Sequence, residues 1–168
     1  MPPTWILGRA SVPNGRREKG DTVRWWPLLL PFAYALHLGE EWWGGEGVFV
    51  WTERVFGEQL SPLRFVVLNA VIWPLFAALT VLAIRHAAYE WFLVTFATLV
   101  VVNALLHVLG TVVFGSYSPG LVTGLLLYVP VGSLILVGGR RKLPQTRFVA
   151  AVAFGVVIHA VVAVVAFA

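Results

Sequence analysis

The sequence predicts an all-α protein, a bundle of five transmembrane helices, on three observations. Only 12% of its 168 residues are charged while 59% are hydrophobic, about half the roughly 25% charge that coats a soluble domain. The mean hydropathy is +0.83. The apolar residues also come in blocks, several of them long enough to cross ~30 Å of hydrocarbon at ~1.5 Å per residue. A water-soluble enzyme is excluded, and a multi-pass integral membrane protein is expected. The absence of cysteine removes disulfides, thiolate ligands and cysteine nucleophiles together.

Taken in order, residues 1–24 read as a flexible basic cytoplasmic tail, with Arg9, Arg16, Arg17, Lys19 and Arg24 set against Glu18 and Asp21. The tail has no apolar run of signal-peptide length, so no cleaved signal is expected. Residues 25–168 read as one membrane domain. Its first span is 25–43, bounded by the pairs Trp25-Trp26 and Trp42-Trp43, whose amphipathic rings favour the headgroup level. The second is 65–84, with Asn69 and the kink candidate Pro74 inside it. The third is 87–114, the fourth 121–138 and the fifth 148–168. Short links such as Gly115-Ser116-Tyr117-Ser118-Pro119-Gly120 make consecutive helices antiparallel neighbours. The longer segment 44–64 places Val48, Trp51, Val55 and Phe56 at helical spacing, which suits an amphipathic helix in the outer interface.

Charge then sets orientation. With five spans, ten basic residues fall on one side (five in the tail, Arg85, and Arg140, Arg141, Lys142 and Arg147), against Arg54 and Arg64 on the other. The positive-inside rule puts the amino terminus in the cytoplasm and the carboxyl terminus outside. Because the net charge of +4 lies in clusters between apolar blocks, it reads as topology and not as a nucleic-acid footprint.

Ionisable groups inside such spans cost a few kcal/mol and mark functional sites by default. His37, Glu40 and Glu41 lie at offsets of three and four, so both carboxylates share a helical face with the imidazole. Asn103 and His107 share a face at the same spacing. Both groups fall in the outer part of outward-running spans and can occupy one layer, with Asn69 and Thr123 at a comparable level. His159 lies slightly deeper and reads first as a hydrogen-bonded packing residue. Glu90, at the inner end of its span, is expected to snorkel or to pair with Arg85 or a basic link.

Two carboxylates and two or three imidazoles satisfy the ligand types of a zinc or di-iron centre. The metal ligands expected are His37, Glu41 and His107; of the catalytic candidates Glu40, Glu41 and Asn103, the glutamate that does not bind the metal is the general base and Asn103 orients a lipid-like or apolar small-molecule substrate. Without metal, the same Glu and His residues form an acid/base pair for a hydrolase or isomerase. A non-catalytic protein that binds or transports a small ligand in this polar layer is the alternative. The absence of an inner counterpart and of any internal repeat counts against transport.

At these residues the sequence resembles the HXXEE proteins, small multi-span bacterial membrane proteins. The naming motif reads His37-Leu38-Gly39-Glu40-Glu41, and a second signature, Asn-x-x-x-His, reads Asn103-Ala104-Leu105-Leu106-His107. The Pro-Gly turn and Thr of Tyr117-Ser118-Pro119-Gly120-Leu121-Val122-Thr123 are similar too. The resemblance spans roughly Pro27 to Gly138. It implies a membrane protein of no established activity, and an enzyme by suggestion of its polar motifs. It also implies an acidic residue between the two motifs, for which Glu46, Glu53, Glu58 and Glu90 are open candidates. Intramembrane CAAX-type proteases also begin from a Glu-Glu pair, but their pattern needs an Arg where this chain has Gly45.

Overall fold

A computed structural model describes residues 25–167; the expected cytoplasmic tail, 1–24, and Ala168 lie outside the described residues. Among the described residues every regular element is helical. A 3-10 turn at Trp26–Leu28 leads into α1, Leu29–Trp43. Next come α2, Gly47–Phe56, and α3, Pro62–Arg85. A second 3-10 turn, Ala87–Tyr89, precedes α4, Trp91–Phe114. The chain closes with α5, Leu121–Lys142, and α6, Gln145–Phe167.

Among the described residues four segments are long and apolar enough to cross a membrane: α3, Ala87–Phe114, α5 and α6. The expected first span differs. Its α-helix has 15 residues, or ~22 Å, against a hydrocarbon thickness of ~30 Å. Pro27 starts it as a 3-10 turn and Gly44, in an extended conformation, ends it.

Local chemistry moves the other boundaries. Ser61 caps α3, its hydroxyl accepting from the Arg64 N–H at 3.4 Å, and Pro62 fits the first turn because its missing N–H would have no helical partner there. α5 runs past Gly138-Gly139 to Lys142, since basic residues favour a helix C-terminus. Close approach explains the glycine at 139, where a Cβ would lie 2.4 Å from Val94 Cγ2.

Apolar side chains cover the outside, as at Leu63, Val112 and Val164, 73%, 74% and 68% exposed. Such a surface suits hydrocarbon as solvent and not water. The core gathers around α4, where Phe96, Ala97, Val100 and Ala104 pack with Leu30, Ala33 and Tyr34 of α1, Phe76 of α3 and Tyr128 and Ile135 of α5. Small residues let the helices close up: a Cβ at Gly155 would stand 2.5 Å from the Thr95 carbonyl oxygen. Thr95 Oγ1 meanwhile donates to the Ala151 carbonyl at 3.1 Å, the polar glue expected between helices in lipid.

One irregularity positions the site. Within α5, Gly124–Tyr128 is a π-helical turn, a widening found often at functional positions. It carries Tyr128 inward, fully buried, onto the His37 ring with centroids 4.4 Å apart.

Candidate functional site

The predicted same-face spacing on α1 and α4 brings three side chains together. His37 Nε2 lies 3.5 Å and His107 Nε2 3.4 Å from Glu41 Oε1, and the three ligand atoms all fall within 4.8 Å of one another. His37 is 2% exposed, and the side chains of Glu41 and His107 are 13% and 11% exposed. The two imidazoles meet edge to face, with centroids 5.0 Å apart and planes at 72°.

These separations are long for N–H···O bonds, which cluster near ~2.9 Å. The two separations from Glu41 lie near the edge of a tetrahedron of donors around one ion, about 3.3–3.4 Å for metal–ligand bonds of about 2.0–2.1 Å, and the two imidazole nitrogens lie within 4.8 Å of each other. The group could therefore hold a metal ion.

The imidazoles are oriented from behind. His37 Nδ1 lies 2.8 Å from Thr123 Oγ1, and the Thr123 hydroxyl donates to Glu40 Oε2. Thr123 has a single proton, so the His37 contact must be Nδ1–H donating to it. That leaves Nε2 with a free lone pair, the form that binds a metal. His107 Nδ1 pairs with Ser118 Oγ at 3.0 Å in a parallel arrangement. Gly120 roofs both rings at φ +106°, where a Cβ would lie 2.6 Å from His107 Cε1 and 2.7 Å from His37 Cε1.

Adjacent in sequence, Glu40 and Glu41 part company in space. Glu40 accepts from the backbone N–H groups of Val122 at 2.8 Å and Thr123 at 2.6 Å, and from the Tyr117 and Thr123 hydroxyls. It thus caps the N-terminus of α5, where unpaired N–H groups attract a carboxylate. In the link, burial first and the bond to Glu40 second push the Tyr117 phenol up to about 12.

A cavity of about 500 Å³ opens beside the three donors. His37, Glu41 and His107 line it together with Asn69, Asn103, Tyr128 and His159, and apolar residues such as Leu68, Ile72 and Leu99 make up most of the remaining wall. Among the described residues three buried side-chain polar atoms lack a hydrogen-bond partner, namely His37 Nε2, Asn103 Oδ1 and Tyr128 Oη. All three belong to residues of this one cavity. Asn69 is held ready, its Oδ1 accepting from Tyr34 at 2.6 Å and its Nδ2 donating to the Phe65 carbonyl at 2.8 Å.

The amphipathic segment 44–64 contains a helix as expected, and α2 turns Val48, Trp51 and Thr52 onto the cavity. Trp51 Nε1 and Arg54 Nη2 donate to Ser116 Oγ at 3.3 and 3.1 Å, tying the helix to the α4–α5 link. Of the acidic candidates between the motifs, Glu46 pairs with Arg54 and Glu90 with Lys142 at 3.0 Å, the basic-link pairing expected for Glu90. Glu53 and Glu58 are exposed, and none of the four lines the cavity.

Sequence reasoning passed over Tyr128, Tyr34 and Ser118 as site residues. The available signal was a phenol in the middle of an apolar span, whose hydroxyl needs a partner when buried.

Comparison with known proteins agrees in extent with the motifs. A family model described as "Protein of unknown function with HXXEE motif" matches residues 28–135. Among curated proteins, "Uncharacterized protein YrkK" of Bacillus subtilis (strain 168) is 46% identical over 48 residues, 28% of this chain and 30% of that protein. The chain thus spans under a third of that relative's length. No solved structure matches it.

Proposed function

The chain belongs to the HXXEE family, proteins of unknown function, and we propose that it is a membrane-embedded, metal-dependent hydrolase or isomerase acting on a lipid-like substrate. One observation carries this reading: three unpaired buried polar atoms, on His37, Asn103 and Tyr128, belong to a single cavity. A buried polar atom without a partner costs about 1–3 kcal/mol. Three around one space are best accounted for by something that fills it.

In this reading His37, Glu41 and His107 would hold a zinc or iron ion. Such an ion lowers the pKa of a water molecule and polarises a carbonyl or phosphoryl oxygen. Glu41 Oε1 faces both imidazoles, which leaves Oε2 to take or return a proton. Asn103, with a free Oδ1, orients the substrate. Glu40 is expected from sequence to act as a base, but its oxygens are taken by Tyr117, Val122 and Thr123, and we assign it to positioning His37 through Thr123. The 3-10 turn and α1 form the first of five spans in this reading. The ten-to-two distribution of basic residues supports a cytoplasmic amino terminus and a site near the outer face.

Metal analysis of protein purified without chelator is the test. About one equivalent of zinc or iron is expected, falling to none in His107→Ala. A metal-free wild-type protein overturns the metal reading, and turnover that survives chelation assigns the same residues to acid/base chemistry.

A further inference from the structure

Below the polar layer lies a second chamber, of about 310 Å³, bounded by α1, α3, α4 and α6. Tyr34, Ile72, Leu99 and Val162 line both chambers, so the two adjoin. Their characters differ. The upper one carries His37, Glu41, Asn103 and His107; the lower one is walled by Phe76, Leu79, Phe92, Phe96 and Ile158, with Thr95 and Tyr34 contributing the polar residue types. Thr95 is already committed to the Ala151 carbonyl and Tyr34 to Asn69, so nothing in the lower chamber seeks a polar partner.

The lower chamber runs along the helices away from the three donors. From Asn69 to Leu79 on α3 is ten residues, or ~15 Å. It is bordered by residues that face outward: Leu75 on α3 is 56% exposed and Phe154 on α6 is 47% exposed, and both line it. A slot between α3 and α6 therefore faces the hydrocarbon around the bundle.

We propose that the substrate is a single-chain amphiphile whose polar head group sits at His37, Glu41 and His107 and whose hydrocarbon chain lies in the lower chamber. It enters sideways between α3 and α6. The head-group half of this statement rests on the metal reading above, while the tail half rests on the lower chamber alone. The occupant is a chain and not a compact apolar molecule, because the only polar demand lies at one end of a space several turns deep. Water is an unsuitable filling for the lower chamber, since a stable buried water needs two to four polar partners. The source is the bilayer, because the slot opens toward lipid and α2 lies across the other end.

Photolabelling of the full chain in lipid nanodiscs tests the tail. The probe is a long-chain fatty alcohol carrying a diazirine at its far end, with and without an excess of the unlabelled alcohol, in the presence of zinc or of chelator. Labelling of Phe92, Leu79 or Ile158 that the unlabelled alcohol competes away is expected. Leu79→Trp should reduce it about tenfold, because added bulk leaves no room for the chain. Leu75→Trp, at an exposed position that accepts a larger side chain, should do the same by closing the slot. An unchanged unfolding midpoint by circular dichroism reports that each variant is folded, whether or not metal is bound. Labelling confined to outward residues such as Val112 and Val164, or unchanged in both Trp variants, overturns the tail proposal even where metal is bound. Competed labelling of the lower chamber in a protein that binds no metal supports the tail and removes the metal reading alone.

Discussion

Thr123 joins Glu40 to His37: its hydroxyl donates to the carboxylate and accepts, 2.8 Å away, from the imidazole Nδ1. A residue on α5 thereby fixes the tautomer of a residue on α1, and the carboxylate that directs it acts through the Thr123 hydroxyl, without a hydrogen bond to the ring. Removing that hydroxyl should free the imidazole to turn without emptying the core. Thr123→Val is therefore expected to fold but to bind zinc about 10–100-fold more weakly, the usual effect of losing such an outer hydrogen bond. Thr123→Ser keeps the hydroxyl and should bind as wild type. Competition with a chromogenic chelator gives both affinities.

How far this arrangement could be read from sequence depends on the range of the interaction. The spacing of His37 with Glu41 and of Asn103 with His107 is local to one helix, and the four side chains do line one cavity. That α3, Ala87–Phe114, α5 and α6 are long apolar helices was legible, though their ends were not, because long apolar blocks have few alternatives in a bilayer. Glu40 was not. At three residues from His37 it shares the face as well as Glu41 does, and only the approach of the α5 N-terminus diverts it. Tyr128 was hidden for a second reason: the π turn at Gly124–Tyr128 shifts the face it presents, and a regular 3.6-residue period has no place for that shift.

Gly120 offers a sterically defined probe of the roof. Its φ of +106° is rarely open to other residues, and a Cβ would sit within 2.7 Å of atoms in both imidazoles. Gly120→Ala is expected to destabilise the protein by about 1–3 kcal/mol and to abolish metal binding by parting the rings. Gly57 also has positive φ, at +74°, but meets nothing within 4 Å, so Gly57→Ala is the control. It should cost some stability and leave the metal content unchanged.

Alkaline pH should loosen the contact between α1 and the α4–α5 link. Tyr117 is held neutral to about 12, by burial first and by its bond to Glu40 second, whereas in the unfolded chain it ionises near its ordinary value of about 10. A raised value means that the folded state favours the protonated phenol. Its contribution is complete below about pH 10 and is lost as the pH rises through about 12. Thermal unfolding followed by circular dichroism should show a fall in midpoint over that window. Tyr117→Phe cannot ionise there, so its midpoint should start lower and change less, and equal slopes in the two proteins would contradict the assignment.

The paired carboxylates should separate by experiment as they do in space. Glu40→Gln keeps the size of the side chain but puts an amide where four donors converge, from Tyr117, Val122 and twice from Thr123. An amide has one acceptor oxygen in place of two, so one donor set faces an NH2 group. A loss of about 0.5–2 kcal/mol is expected, the cost of a lost cap. Zinc binding should weaken only through the disturbed Thr123. Glu41→Gln is the opposite case. It caps nothing, and its charge lies between two imidazole nitrogens at 3.4 and 3.5 Å, so its loss should remove the metal while changing stability in chelator little. Measuring unfolding midpoint and zinc stoichiometry on both variants gives a crossed pattern. If both lose metal alike and both keep their midpoint, the division of labour between Glu40 and Glu41 is wrong.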